Sequence, residues 1–272
     1  NIKDALQPDD PIQIPCAMCI GCRIEKSRQW AIRCLHESSL YDDNCFLTLT
    51  YDDEHLPPGG TLVLEHFQDF MKALRHQVSP KKIRFFHCGE YGEKYTRPHY
   101  HALIFNHNFN DRVLHSTSEA GTKVYTSERL SRVWPHGYAT CGDLTYDSCA
   151  YVARYIMKKV LGPHKEYHYG DLKPEYVTMS RRPGIGKDWI SSWANDVYPL
   201  DSVIINGKET KPPKFYDSHL EKIDNDFYQD IKDKRLRLAK LDSEHKNPYR
   251  RKDAETIKFQ QTQRLVRNYE RE

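Results

Sequence analysis

No stretch of this chain approaches the ~20 consecutive apolar residues that a membrane-spanning helix needs. The charged start, short apolar core and small-residue cleavage site of a secretory leader are also missing. A soluble protein that is not secreted, with no membrane partner, is therefore expected. Charge of a single sign is scarce: 41 Lys and Arg against 38 Asp and Glu leave a net charge of +3. That excess is too small to argue for a polyanionic partner by itself. No segment repeats, so solenoids and propellers are excluded. The Gly-x-Gly of "PGIGKDW" (183–189) does not follow a strand that runs into a helix, so no nucleotide loop is read there. A disulfide framework is lacking too. Of eight cysteines, Cys34, Cys45, Cys88, Cys141 and Cys149 are scattered through apolar segments. This usage fits reduced thiols and one metal cluster.

That cluster is "CAMCIGC", which places Cys16, Cys19 and Cys22 at a spacing suited to Zn²⁺. The fourth ligand is not evident; Cys34, twelve residues further along a helix, lies roughly 18 Å away. Thiols packed near a helix start are the plainer alternative. The basic residues are also unevenly placed. Between Tyr151 and Trp189 the chain carries Arg154, Lys158, Lys159, Lys165, Lys173, Arg181, Arg182 and Lys187 against four acids, with tyrosines among them. Cations interleaved with aromatics suit a phosphate backbone with stacked bases; an ordinary solvated surface would look similar. In "SRRPGIGKDW", Arg181, Arg182 and Lys187 surround a Pro-Gly turn where amides and cations could hold DNA phosphates.

Apolar periodicity predicts helices over 23–37, 64–78, 127–133 and 148–161, and strands over 44–51, 82–90, 99–105 and 137–144. The strands at 82–90 and 99–105 form a hairpin through the turn-rich 91–97. Residues 106–125 read as a polar stretch, 177–193 as a Pro-Gly loop with a short helix, and 217–246 as one long charged helix. Strands in consecutive and separated groups favour α+β, a central antiparallel sheet with helices packed on it and a helical C-terminal extension, over a doubly wound parallel sheet. The expected organisation is an N-terminal arm with the cysteine cluster and a helix (1–37), a catalytic domain (38–200) and a charged extension (201–272).

"RPHYHALIF" (97–105) puts His99 and His101 two apart on a strand, so both imidazoles face the same way. Two such imidazoles can hold one divalent metal, and Glu90, ending the preceding strand, is a candidate third ligand. A His/His/carboxylate set suits Mg²⁺ or Mn²⁺ acting on phosphate oxygens, with the imidazoles favouring Mn²⁺. The alternative is two hydrogen-bonded strand histidines. In "YVARYIMKK", Tyr151 and Tyr155 share one helical face, with Lys158 and Lys159 a turn later. A phenol, with a pKa of about 10, attacks a phosphodiester only where charge on the phosphate is neutralised. A metal and a lysine would do that; core aromatics of an amphipathic helix are the alternative reading.

"FLTLTY", "CGEYGEKYTRPHYHALIF" and "AYVARYIMKK", in that order, resemble the three-motif set of HUH endonucleases, in particular the replication initiators of the Microviridae, small single-stranded DNA phages, of gokushovirus type. "CAMCIGCRIEKSRQWAIRC" and "MSRRPGIGKDW" are similar to further segments of that group. The resemblance implies that His99, His101 and Glu90 bind the metal, that Tyr151 and Tyr155 are paired nucleophiles, and that Lys158 or Lys159 sits by the scissile phosphate. It implies metal-dependent nicking and joining of single-stranded origin DNA through a 5′-phosphotyrosine, in the cytoplasm of a bacterial host. A host helicase or polymerase is a further candidate partner. It also implies the histidines on a middle strand with the tyrosine helix beside it. Two other readings remain open at this point: a non-catalytic zinc-containing DNA-binding protein, and a transposase or relaxase of the same chemistry.

Overall fold

Alternating residues in "NCFLTLTY" and the apolar run "PHYHALIF" make two long strands that pair side by side at the centre of the protein. The computed structural model describes residues 15–92, 96–118, 121–158, 160, 165–241 and 248–263. Its main sheet comprises β1 (Asn44–Tyr51), β2 (Arg84–Tyr91), β3 (Pro98–Phe105), β4 (Val113–Thr117), β5 (Lys123–Thr126), β6 (Gly137–Asp143) and β7 (Tyr176–Met179). The spatial order is β4-β5-β6-β1-β3-β2-β7, and every pairing is antiparallel. The α+β expectation therefore holds, with β3 a middle strand.

Side-chain alternation gives the sheet two different faces. On one, Leu47, Leu49, Tyr100, Ala102 and Ala139 pack against α2 (Leu64–Val78), which supplies Phe67, Phe70 and Leu74, and against Trp134 after α3 (Glu128–Val133). Phe67, Phe70 and Leu74 are almost wholly buried, which contributes about 2 kcal/mol each. On the other face, Phe46, Phe86, Leu103 and Phe105 meet α1 (Ile20–Ser38) and α4 (Tyr146–Lys158) through Ala31, Cys34, Cys149, Val152 and Ala153. A third cluster joins Ile32 of α1 to α6 (Lys187–Val197), α7 (Lys214–Ile223) and α8 (Asn225–Leu241) through Ile190, Val197, Tyr216, Leu220 and Ile231.

Several expectations are revised. The charged segment 217–246 is not one helix: the backbone leaves the helical region at Asp224 (φ −146°), whose Oδ1 accepts a hydrogen bond from Phe227 N, 2.9 Å. A short acid that caps the next helix competes with continuing the last one. The polar stretch 106–125 contributes the β4–β5 hairpin, and 176–179 adds an edge strand. A small separate hairpin pairs β8 (Val203–Ile205) with β9 (Lys208–Thr210). Its turn residues Asn206 and Gly207 both have positive φ, as such a tight turn requires. Short α5 (Lys165–Tyr169) and α9 (Pro248–Gln263) complete the described elements. Among them, no helix is long and apolar enough to cross a membrane.

Candidate metal and tyrosine site

Strand register brings the candidate ligands together. Glu90 pairs directly with His99 across β2 and β3, and Cys88 with His101. Glu90 Oε1 lies 2.8 Å from His99 Nε2 and 2.9 Å from His101 Nε2. One donor atom from each residue falls within 4.8 Å of the others. The remaining imidazole nitrogens are held from behind: His99 Nδ1 is 3.1 Å from the Arg97 carbonyl, and His101 Nδ1 is 3.1 Å from Thr48 Oγ1. A carbonyl accepts only, so His99 Nδ1 carries a proton. Its Nε2 then meets the Glu90 carboxylate with either a second proton or a lone pair.

A divalent cation fits this donor set. Adjacent donors about 2.1 Å from a common octahedral ion lie roughly 3 Å from one another, close to the separations found here. Both imidazoles are oriented by their second nitrogens, as metal-binding histidines generally are. Burial pushes the Glu90 carboxyl up, but hydrogen bonds from His101 and His99 outweigh it and hold the group well below the usual carboxylate range. Thr48 is absent from the residues singled out in the sequence. Its signal is the alternation of "FLTLT", which turns Thr48 and Thr50 away from Leu47 and Leu49.

Helix α4 lays both tyrosines against the same imidazole. Tyr151 Oη is 3.3 Å from His101 Nε2, and the Tyr155 ring stacks on His101 with centroids 5.6 Å apart. The two phenol rings meet edge to face at 5.2 Å. Both are buried. Burial, then the nearby Glu90 charge and Tyr151, push the Tyr155 phenol well above its ordinary pKa. The Arg154 guanidinium lies 5.5 Å from the Tyr151 ring centre. Lys158 is the last residue of α4, with its side chain outside the described part, and Lys159 lies outside the described residues altogether.

The other candidates sit apart from this site. Loop 180–186 is fastened beside the start of β2: Ser180 N donates to Phe85 O, and Arg84 donates to Pro183 O. Arg84 and Glu90 are six residues apart on a strand, about 20 Å. Arg181 and Arg182 are exposed there, and Lys187 is turned to His219 of α7. The loop is held on α1 by Glu37, which accepts from Gly186 N (2.7 Å) and Arg84 Nε (2.5 Å). Arg33, sandwiched between Trp30 and Phe215 at 3.8 Å each, donates to Ile185 O. Gly186 has φ +75°, and a Cβ there would come within 2.9 Å of Tyr216 Oη.

Cys16, Cys19 and Cys22 converge just before and within the first turn of α1. Cys16 Sγ lies 3.9 Å from Cys22 Sγ and accepts from Cys19 N at 3.2 Å. The amides of Cys19 and Met18 lower the Cys16 thiol to about 7. Thiolates about 2.3 Å from one tetrahedral Zn²⁺ lie roughly 3.8 Å apart, so these residues fit the ion. Cys34 is fully buried in the cluster with Cys149, and among the described residues no fourth side chain joins the trio.

A family model for replication-associated proteins of the ORF2 type matches residues 44–160, which include β1–β3, the histidine pair and α4. Replication-associated protein VP4 of Bdellovibrio phage phiMH2K is 38% identical over 216 residues, covering 76% of this chain and 67% of that protein. The chain belongs to the phage replication-associated proteins. Replication-associated protein ORF2 of Spiroplasma virus 4 is 39% identical over 241 residues, covering 84% of this chain and 74% of its own. Replication-associated protein ORF4 of Chlamydia phage 1 is 28% identical over 241 residues, covering 83% of this chain and 60% of its own. No solved structure matches. The resemblance read from the three motifs thus holds at the level of the phage replication-associated family.

Proposed function

We propose that this replication-associated protein initiates rolling-circle replication by nicking and rejoining single-stranded phage DNA in the host cell. The observation that supports it is the meeting of both phenols with His101, whose Nε2 also faces Glu90. A divalent cation held by Glu90, His99 and His101, Mg²⁺ or Mn²⁺, supplies positive charge to polarise the scissile phosphate.

The chain's own residues do the rest. One tyrosine oxygen attacks phosphorus, forming a P–O bond to the phenol as the P–O3′ bond breaks. The phenol proton is lost to solvent, and the departing 3′ oxygen ends as a free 3′-OH that can prime synthesis. The 5′-phosphotyrosine keeps the bond energy, so a 3′-OH can later reverse the step. Tyr151 and Tyr155, one turn apart on one helical face, allow the second phenol to cut while the first ester is resealed. His99, the most open member of the group, marks the side from which the phosphate enters. Lys158 or Lys159 adds charge near the phosphate, and Arg154 orders Tyr151. A structural Zn²⁺ at Cys16, Cys19 and Cys22 belongs to the same proposal, supported by the sulfur spacing.

The test incubates the protein with Mn²⁺ and the single-stranded origin region, then looks for a covalent adduct that survives denaturation. Replacing both tyrosines (Tyr151→Phe with Tyr155→Phe) keeps the packed rings and should abolish the adduct. An undiminished adduct in that double variant would overturn the proposal.

A further inference from the structure

The face of the sheet that carries the histidines is only half roofed by the described helices. Helices α1 and α4 lie over β2, β3 and the Phe46 end of β1. The neighbouring β6 presents Tyr138 and Thr140 on this same face, because Ala139 and Cys141 between and beyond them point into the opposite core. Register then lines up two rows. Tyr138 pairs with Thr50, which pairs with His99, which pairs with Glu90. Thr140 pairs with Thr48, which pairs with His101.

Tyr138 is 65% exposed. The other aromatic residues that stand out from the surface, Tyr167, Trp193, Phe227, Tyr249 and Phe259, lie on helices α5, α6, α8 and α9; among the described residues, Tyr138 alone stands on the sheet. Paired Cα atoms on neighbouring strands are about 5 Å apart, so Tyr138 sits two strand spacings, about 10 Å, from His99. An aromatic ring held flat by strand geometry stacks a base of any identity, and hydroxyls such as those of Thr50 and Thr140 beside it suit sugar and phosphate oxygens. A duplex would hide its base faces from such a ring; a single strand offers them.

We propose that Tyr138 is the stacking platform for a base of single-stranded DNA adjoining the phosphate that reaches His99 and Glu90. The assignment rests on the nicking reading above for its substrate, and it deepens that reading by naming where the flanking nucleotide is held. Tyr138 is thus a positioning residue, remote from the bond that breaks.

The test measures binding without cleavage. Fluorescence anisotropy of a labelled mixed-sequence single strand, with a chelator present, compares wild type, Tyr138→Ala and Tyr138→Phe. Loss of one base–aromatic stack should weaken Tyr138→Ala about tenfold, while Tyr138→Phe, which keeps the ring, binds as wild type does. A crosslink from an iodouracil-substituted strand should map to the peptide containing Tyr138. Unchanged affinity in Tyr138→Ala would overturn the assignment, as would equal weakening in Tyr138→Phe. The nicking reading fails separately, if wild type forms no adduct with Mn²⁺; the affinity comparison does not depend on that result.

Discussion

Glu90 and His99 face each other across β2 and β3, carboxylate oxygen to imidazole nitrogen at 2.8 Å, and the same oxygen reaches His101 at 2.9 Å. A single carboxylate atom thereby gathers two imidazoles that come from one strand face. The geometry depends on register: a slip of one residue in β2 would send Glu90 to the far side of the sheet.

Metal affinity should depend on Thr48. Its Oγ1 is the group that fixes the His101 ring through Nδ1. Thr48→Val removes that partner while keeping a β-branched strand residue. Loss of such an orienting contact typically costs about 10–100-fold in metal affinity. Titration calorimetry with Mn²⁺ is the measurement; wild-type affinity in Thr48→Val would show that the ring needs no such support.

Zinc should leave with the cysteine trio. Protein purified without chelator is expected to carry zinc by elemental analysis. Cys16→Ser, which replaces the thiol nearest ionisation at neutral pH, should reduce that content to background. The Glu90 site is a separate cluster, so Mn²⁺ binding by the variant should be retained.

Stability should fall in mild acid because of His36. This imidazole is stacked on Trp189 at 3.5 Å, with Nδ1 2.9 Å from Tyr216 Oη, and burial lowers its pKa from 6.5 to about 4. The unfolded chain takes up the proton below about pH 6.5, whereas the folded one resists until about pH 4. Its contribution is complete above 6.5 and is lost on descending between those values, about 2 kcal/mol by about pH 5. Urea unfolding at neutral pH and at about pH 5 should show that extra loss in wild type and not in His36→Gln.

The long elements are legible because one physical rule governs each. Strict alternation in "NCFLTLTY" gives β1, and the 3.6-residue repeat of Phe67, Phe70, Met71 and Leu74 gives α2 with the boundaries expected. The β4–β5 hairpin is illegible because every residue of β4 is exposed, so no buried face imposes a pattern. The β8–β9 hairpin has its signal in Asn206-Gly207, which is weak beside such short strands. The break at Asp224 is hidden because charged helical sequence continues on both sides of it. Within the site, alternation puts His99 and His101 together and the hairpin brings Glu90 to them. The distance of Arg181 and Arg182 from that group depends on which end of β2 the loop joins, and sequence spacing carries no trace of that.

Tyr100 lies between the two histidines in sequence but enters the opposite core, where its hydroxyl meets Val63 N, Val63 O and the Tyr51 hydroxyl. The strand is riveted from its blind side. The aim of both imidazoles is set by a residue that touches neither the carboxylate nor any phosphate. Damage to that rivet would swing the two rings together, as a hinge pin moves both leaves of a door.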